Sequence, residues 1–292
     1  MAELTSRTAA WQSEGTLETI AGHQIFVRVR AGASDLPPVV FLHGYPTCSY
    51  DWRHAVDRLG DRQLVMFDLL GFGLSEKPRD QLYSLLMQAD IVEAAVARYA
   101  REPVILVAHD MGSSVATELL ARDLDQRLTF ELSSVLLFNA SLVLERANLV
   151  IGQKVLRGRL GPLAVRMTTE IVFRMQFARV FSKAHPLSDE EAADQWSLLA
   201  YKRGHRLLDR LIFYLHERVT YASRWKDALR SWPGHLELAW ADLDPICTEA
   251  VLQAVLDLRP RVPVTRLRGL GHYPQLESPE ASIQVIERLL SF

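Results

Sequence analysis

A carboxylate stands at the point of the chain best placed to expose a nucleophile. Residues 104–107 are an unbroken apolar run, Ala108-His109-Asp110-Met111-Gly112 follows, and residues 113–123 continue with helical spacing. Small-x-nucleophile-x-Gly between a strand and a helix is the pattern of a sharp elbow, in which small residues at 108 and 112 let strand and helix pack closely while the middle side chain is thrust away from the sheet. A carboxylate at that apex attacks saturated carbon and forms an alkyl ester, whereas a serine there attacks an acyl carbon. Ser113 and Ser114 lie past the apex, on the helix, so acyl-ester chemistry is disfavoured.

An orienting acid and then a base are expected further along the chain. Residues 236–240 read as a strand running into Asp242-Leu243-Asp244-Pro245, and a carboxylate fixed at a strand end by a following proline suits the acid. Asp244 is the acid of choice; its competitor, Asp242, reads as a loop or capping residue. His272 lies 28 residues past Asp244 on the turn Gly269-Leu270-Gly271-His272-Tyr273-Pro274 and is the expected base. At the other edge, His43-Gly44-Tyr45-Pro46 ends an earlier strand, so the backbone N–H groups of Tyr45 and Met111 are expected to form an oxyanion hole. An ester on Asp110 needs such a hole, because its hydrolysis passes through a tetrahedral centre at the aspartate's own carboxyl carbon. His43 and His109 read as scaffold. The glycines of residues 68–75 lack dinucleotide-loop spacing, and no His/Cys cluster has zinc spacing. No cofactor and no metal are therefore expected.

To present these residues, short apolar runs must alternate with amphipathic helices, as in a mostly parallel sheet. Strands are predicted at 16–20, 24–30, 38–42, 64–67, 104–107, 135–138, 236–240 and 264–268. Helices are predicted at 52–59, 84–99, 113–123, 249–258 and 279–290. The strand signal stops between 142 and 234, where only helical patterns remain, with breaks at Gly158 and Gly161-Pro162 and a capping box at Ser188-Asp189-Glu190-Glu191. The expected organisation is a core at 1–141 and 235–292 with an inserted helical cap at 142–234, above the strand ends where α/β sheets bind ligands.

The 292 residues, 49% hydrophobic and 23% charged, are enough for a full core, and the net charge of −2 argues against nucleic acid as partner. No apolar stretch is long enough for a membrane span and residues 1–14 lack a signal-peptide core, so with two cysteines far apart in sequence a cytoplasmic protein with reduced thiols is expected. The segment 142–234 carries 16 Lys and Arg against 9 Asp and Glu, which leaves open a weak peripheral membrane contact through the basic cap. A homodimer is also left open.

The motifs at His43-Gly44-Tyr45-Pro46, 68–75, 108–112, Asp244-Pro245 and Gly271-His272-Tyr273-Pro274-Gln275 together resemble the α/β-hydrolases of the epoxide hydrolase and haloalkane dehalogenase branch. The resemblance implies the α/β-hydrolase fold, with a mostly parallel eight-stranded sheet, flanking helices and a helical cap. Dehalogenases of this branch hold the halide with an Asn after the His-Gly and a Trp after the nucleophile; here Tyr45 and Met111 stand there, which disfavours halide chemistry. Epoxide hydrolases use cap tyrosines to donate to the ring oxygen, and Tyr214, ahead of Glu217-Arg218 and 30 positions before Asp244, matches the later of the two. The earlier tyrosine has no counterpart in residues 173–177; Tyr201, His205 or His216 could substitute. Trp52, Phe72 and Tyr273 sit beside the motifs and are expected to line an apolar pocket. The expected activity is hydrolysis of an apolar epoxide to a vicinal diol through an ester on Asp110, with water activated by His272 and Asp244. A dehalogenase with the same three residues, or a binding protein that turns nothing over, are the alternatives.

Overall fold

The computed structural model describes residues 3–33, 35–101 and 103–291. Its centre is an eight-stranded sheet of β1 (Thr16–Ile20), β2 (His23–Arg30), β3 (Val39–Leu42), β4 (Leu64–Phe67), β5 (Val104–His109), β6 (Leu132–Phe138), β7 (His235–Ala241) and β8 (Val264–Leu267). The spatial order is β1-β2-β4-β3-β5-β6-β7-β8. β1 and β2 pair antiparallel with each other, β2 pairs antiparallel with β4, and every later pairing is parallel. The central strands β3, β4 and β5 are buried along their whole length, which is why their sequences are continuously apolar. Alternate residues still separate by face. Val40, Leu42, Val65, Phe67, Leu106 and Ala108 join one core cluster, and Val39, Phe41, Leu64, Met66, Ile105 and Val107 join the other.

The helices are α1 (Ser6–Ser13), α2 (Leu85–Tyr99), α3 (Met111–Leu124), α4 (Ile151–Arg157), α5 (Gly161–Met167), α6 (Glu170–Phe177), α7 (Asp189–Ala200), α8 (Leu208–Leu211), α9 (Tyr214–Thr220), α10 (Ala222–Ser231), α11 (Glu249–Leu258), α12 (Pro274–Glu277) and α13 (Pro279–Leu290). All eight expected strands form within a few residues of their expected limits. In α2, Ile91, Ala95 and Val96 are buried as the 3.6-residue period requires, while Ala94 sits half-buried. Three elements differ from expectation, one of them the four-residue α12, over which no helix was predicted. Residues 52–59 do not make an α-helix; a 3-10 helix at Ser49–Ala55 turns tightly enough to bury Ser49, Trp52 and Ala55 at threefold spacing. α1 carries little apolar periodicity but is held at its start by Thr5, which accepts from the Thr8 N–H and donates to Asp194 of α7.

Between β6 and β7 the described residues form helices α4 to α10 and no strand. Gly158 ends α4, Gly161-Pro162 opens α5, and the Ser188 hydroxyl accepts from the Glu191 N–H at 3.1 Å to start α7. No helix among the described residues is long and apolar enough to cross a membrane. β3 lies between β4 and β5, so the chain leaves it to one side and returns on the other. The carboxyl ends of β3 and β5 flank that switch point.

Candidate active site

Asp110 occupies the turn between β5 and α3 with φ 44° and ψ −109°, a conformation that a non-glycine residue holds only when its surroundings impose it. Close packing imposes it here. A Cβ at residue 112 would lie 2.6 Å from the His43 carbonyl oxygen, and one at residue 44 would lie 2.9 Å from the Asp110 Cβ. Both positions therefore need glycine. The Tyr45 N–H donates to Asp110 Oδ2 at 3.2 Å, so half of the expected oxyanion hole already faces the carboxylate. Met111 starts α3 beside it, but its N–H makes no bond to that carboxylate.

The expected acid and base meet. His272 Nδ1 and Asp244 Oδ2 are 2.7 Å apart and both side chains are buried. Nδ1 carries the proton in that bond, which leaves Nε2 as the basic nitrogen. Asp244 is itself fixed: Oδ1 accepts from the N–H groups of Ile246 (2.7 Å) and Cys247 (2.9 Å), and Oδ2 also accepts from Asn139 Nδ2 at 2.8 Å. Asp244, Cys247 and His272 approach closely enough to hold an ion. Their donors are already committed, however, since the Cys247 thiol donates to the Asn139 carbonyl and burial pushes that thiol well up. Asp242, the rejected competitor, accepts from the Gly269 N–H in an exposed loop.

Charges around Asp110 decide its protonation. Burial alone would raise its carboxyl, but Arg218 first, and then His272 and His109, outweigh burial and hold it below the ordinary carboxylate range. Asp110 is thus an anion at neutral pH. Burial would lower His272; Asp244, by charge and hydrogen bond, and then Asp110 outweigh it, so the imidazole sits above its ordinary value.

Tyr214 is buried in α9, and its hydroxyl has no hydrogen-bond partner. Burial first, and then the charge of Asp110, push that phenol well above its ordinary value, so it remains a proton donor. An unpartnered buried hydroxyl costs about 1–3 kcal/mol, which a bound acceptor recovers. Its ring lies 5.6 Å from that of Tyr45, centroid to centroid.

A cavity of about 100 Å³ is lined by Tyr45, Phe173, Phe177, Leu208, His272 and Tyr273 among others; it meets the site through Tyr45 and His272, while Asp110 and Tyr214 lie behind them and are not on its wall. Tyr273 belongs to the site as expected, its hydroxyl donating to the Tyr45 carbonyl at 2.9 Å. Four expected pocket residues are not on its wall. Trp52 packs between Phe41 and Phe138 in the core cluster on one face of the sheet, because the 3-10 turn points it inward. Phe72 stands edge-on to His43 and Tyr45 and supports the wall from behind. Tyr201 accepts from Gln12 Nε2 at 3.3 Å, next to Lys77 and Lys202. His216 is exposed and its ring lies tilted against Phe213. His205, the other substitute weighed for the second donor, is off the wall too, its ring tilted against Trp196.

His43 and His109 hold backbone. His43 Nε2 accepts from the Leu69 N–H, and His109 Nε2 donates to the His272 carbonyl at 2.7 Å.

Two residues of the site escaped the sequence reading. Arg218 donates from Nε to Ser114 (2.8 Å) and from Nη1 to Ser141 (2.6 Å), and its Nη2 reaches the Asp110 carbonyl (3.1 Å) and Oδ1 (3.4 Å). The only signal was an arginine four places after Tyr214, whose ring the guanidinium carbon overlies at 4.6 Å. Asn139 leaves β6 at φ 41° and braces both Asp244 and the Gly271 carbonyl. Asn tolerates that left-handed region, which is a signal only once the strand end is known.

The model of the alpha/beta hydrolase family matches residues 39–285. The chain is 48% identical over 280 residues to LipZ of Mycobacterium tuberculosis, provisionally named a hydrolase, with 96% of each chain covered. It is 34% identical to the mesoderm-specific transcript homolog protein of Homo sapiens, covering 95% of this chain and 86% of that one. Among solved structures, the haloalkane dehalogenase DatA of Agrobacterium tumefaciens superposes with a TM-score of 0.76 at 22% identity, covering 97% of this chain and 98% of the other. The epoxide hydrolase CorEH does so with a TM-score of 0.77 at 17% identity, covering 95% and 98%. A match running from β3 into α13 takes in both the elbow and the turn that carries His272, and the chain belongs to the alpha/beta hydrolase family.

Proposed function

We propose that the chain hydrolyses a compact apolar epoxide to a vicinal diol, with residues 142–234 acting as a cap over the core formed by 1–141 and 235–292. The observation that carries this reading is an ionised carboxylate at the elbow near a buried phenol hydroxyl with no partner. Asp110 attacks a ring carbon, the C–O bond breaks, and Tyr214 supplies a proton to the departing oxygen. His272 Nε2 then takes a proton from water, and the hydroxide adds to the Asp110 carboxyl carbon. The Tyr45 N–H, joined by that of Met111, bears the negative charge of the tetrahedral centre. Collapse releases the diol with one former Asp110 oxygen, and the proton on His272 returns to the Tyr214 phenolate.

A single turnover in ¹⁸O-water tests the route. Label enters Asp110 on the first turnover and the diol only later; label in the first diol sinks the covalent mechanism. His272→Gln is expected to trap the ester as a mass increase on intact protein.

The dehalogenase alternative needs side-chain donors at 45 and 111, but the Tyr45 hydroxyl is directed at the Leu208 carbonyl (3.3 Å) and Met111 has none. Halide release from a bromoalkane panel checks it. One observation favours the non-catalytic alternative: Arg218 shares Asp110 Oδ1, the oxygen not held by Tyr45. Ligand-induced stabilisation without turnover across styrene oxide, cyclic and long-chain epoxides would establish that reading instead.

A further inference from the structure

Exposed apolar side chains are concentrated on one part of this molecule. Eight of the fifteen large hydrophobic residues exposed among the described residues fall between 151 and 175. Ile151, Leu160, Met167 and Ile171 are 67–71% exposed, and Leu163 and Met175 are more than half exposed. The spacing is helical: in α6, Phe173 and Phe177 face inward while Ile171 and Met175, also four apart, face water. A short helix apolar on both sides can bury two apolar faces, and among the described residues only the inner one is covered.

The surrounding charge is one-sided. Residues 150–180 hold six Lys and Arg against one Glu. Among the described residues, Lys154, Arg157, Arg159, Arg166 and Arg179 have no carboxylate partner, whereas Arg174 is paired with Glu170 and Asp189. α5 also borders a cleft of about 640 Å³, lined by Arg79, Arg166, Lys202, Arg203, Arg206 and Arg210 with Asp209 as its only acid. Lys202 and Arg203 are held there in consecutive left-handed conformations, at φ 47° and 62°.

We propose that the outer faces of α4, α5 and α6, together with this basic cleft, dock the protein on an anionic phospholipid bilayer. The apolar side chains enter the boundary between headgroups and acyl chains, and the cleft takes the phosphate-bearing headgroups. A second copy of the chain is a poorer occupant, because it would set one basic surface against another. The inner residues of α4 and α6, among them the buried Gln153 and Phe173, line the cavity beside His272. Docking therefore brings the route to that cavity against the bilayer, from which an apolar substrate partitions; this consequence rests on the proposed function, but the docking does not.

Vesicle flotation of the full chain tests the docking without any turnover. Wild type is expected to float with phosphatidylcholine vesicles containing phosphatidylserine, far less with phosphatidylcholine alone, and to be partly released by added salt. Ile171→Glu with Met175→Glu should weaken flotation by on the order of tenfold or more. Arg159→Gln and Arg166→Gln should each weaken it roughly fivefold. All four positions are exposed, so the variants should keep the wild-type melting midpoint and the wild-type rate on a water-soluble epoxide. Failure of wild type to float, equal flotation with neutral vesicles, or unchanged flotation of the glutamate variant overturns the proposal. So does a wild-type dimer in light scattering that the glutamate variant converts to monomer.

Discussion

The two walls of the site are built on different terms. On the sheet side, Tyr45, Asp110, Asp244 and His272 follow the ends of β3, β5, β7 and β8, and both oxygens of Asp244 are held by hydrogen bonds. On the helical side, Tyr214 projects an unpartnered hydroxyl, and the lining residues come from short helices whose outer faces are apolar and exposed. Rigid strand ends fix atoms to the tolerance that bond-making needs. The cavity of about 100 Å³ beside them suits a compact molecule.

Breaking the sheet side should have the largest effect. Asp110→Asn removes the nucleophile, and a loss in kcat on the order of 10⁴-fold or more is expected in steady-state assays. It also strands the buried Arg218 guanidinium, at a cost of about 3–5 kcal/mol to be read from denaturant melts. Turnover retained in this variant would move the chemistry elsewhere.

Asp244→Asn comes next, with about 10⁴-fold expected in kcat, because the amide leaves the imidazole in the wrong tautomer. The pH profile gives an independent reading. His272 must be neutral to act as base and its folded value is raised, so the acid limb of kcat should lie above the ordinary histidine value of ~6.5 in wild type and move down in the variant. Stability follows the opposite sense. The protonated imidazole's contribution is fully present below ~6.5 and is lost as pH rises through the raised folded value. Asp110, held low, contributes stability above the ordinary carboxylate range and loses it as pH falls through its depressed value.

The helical side should respond more weakly and with opposite signs. Tyr214→Phe removes the only donor proposed for the leaving oxygen, and about 10²–10³-fold in kcat is expected. The same change removes a buried hydroxyl without a partner, so the melting midpoint should stay or rise, by up to about 1 kcal/mol in stability. Loss of both activity and stability would show that the hydroxyl has a structural partner.

The same contrast explains what could be read from the chain. Strand ends, small residues at an elbow and the order Asp110, Asp244, His272 are local patterns, so the sheet and its side of the site were legible almost residue by residue. The helical wall depends on how seven helices pack, which no local period encodes. Tyr214 was reached through family resemblance, and Arg218 was quoted beside it without its role, since nothing in the sequence tells that its guanidinium turns toward Ser114, Ser141 and Asp110. Trp52 was misplaced because it was assigned by its position beside the motifs, whereas tertiary packing sets its indole between Phe41 and Phe138 in the core.

The smallest effects are expected at two of the substitutes weighed for the missing second cap donor. Tyr201 makes one long hydrogen bond, 3.3 Å from Gln12, and His216 is exposed against Phe213; neither reaches the cavity. Tyr201→Phe and His216→Ala should each change stability by no more than about 0.5 kcal/mol, as surface substitutions do. Their kcat and KM on a small epoxide should match wild type. A second ring-oxygen donor at either position would instead lower kcat in proportion to the Tyr214→Phe loss and leave the melt unchanged. That split would mean that α9 or the turn following α7 shifts toward the elbow when substrate is bound. If both variants are silent, Tyr214 acts alone, and the helical wall contributes one proton and otherwise shape.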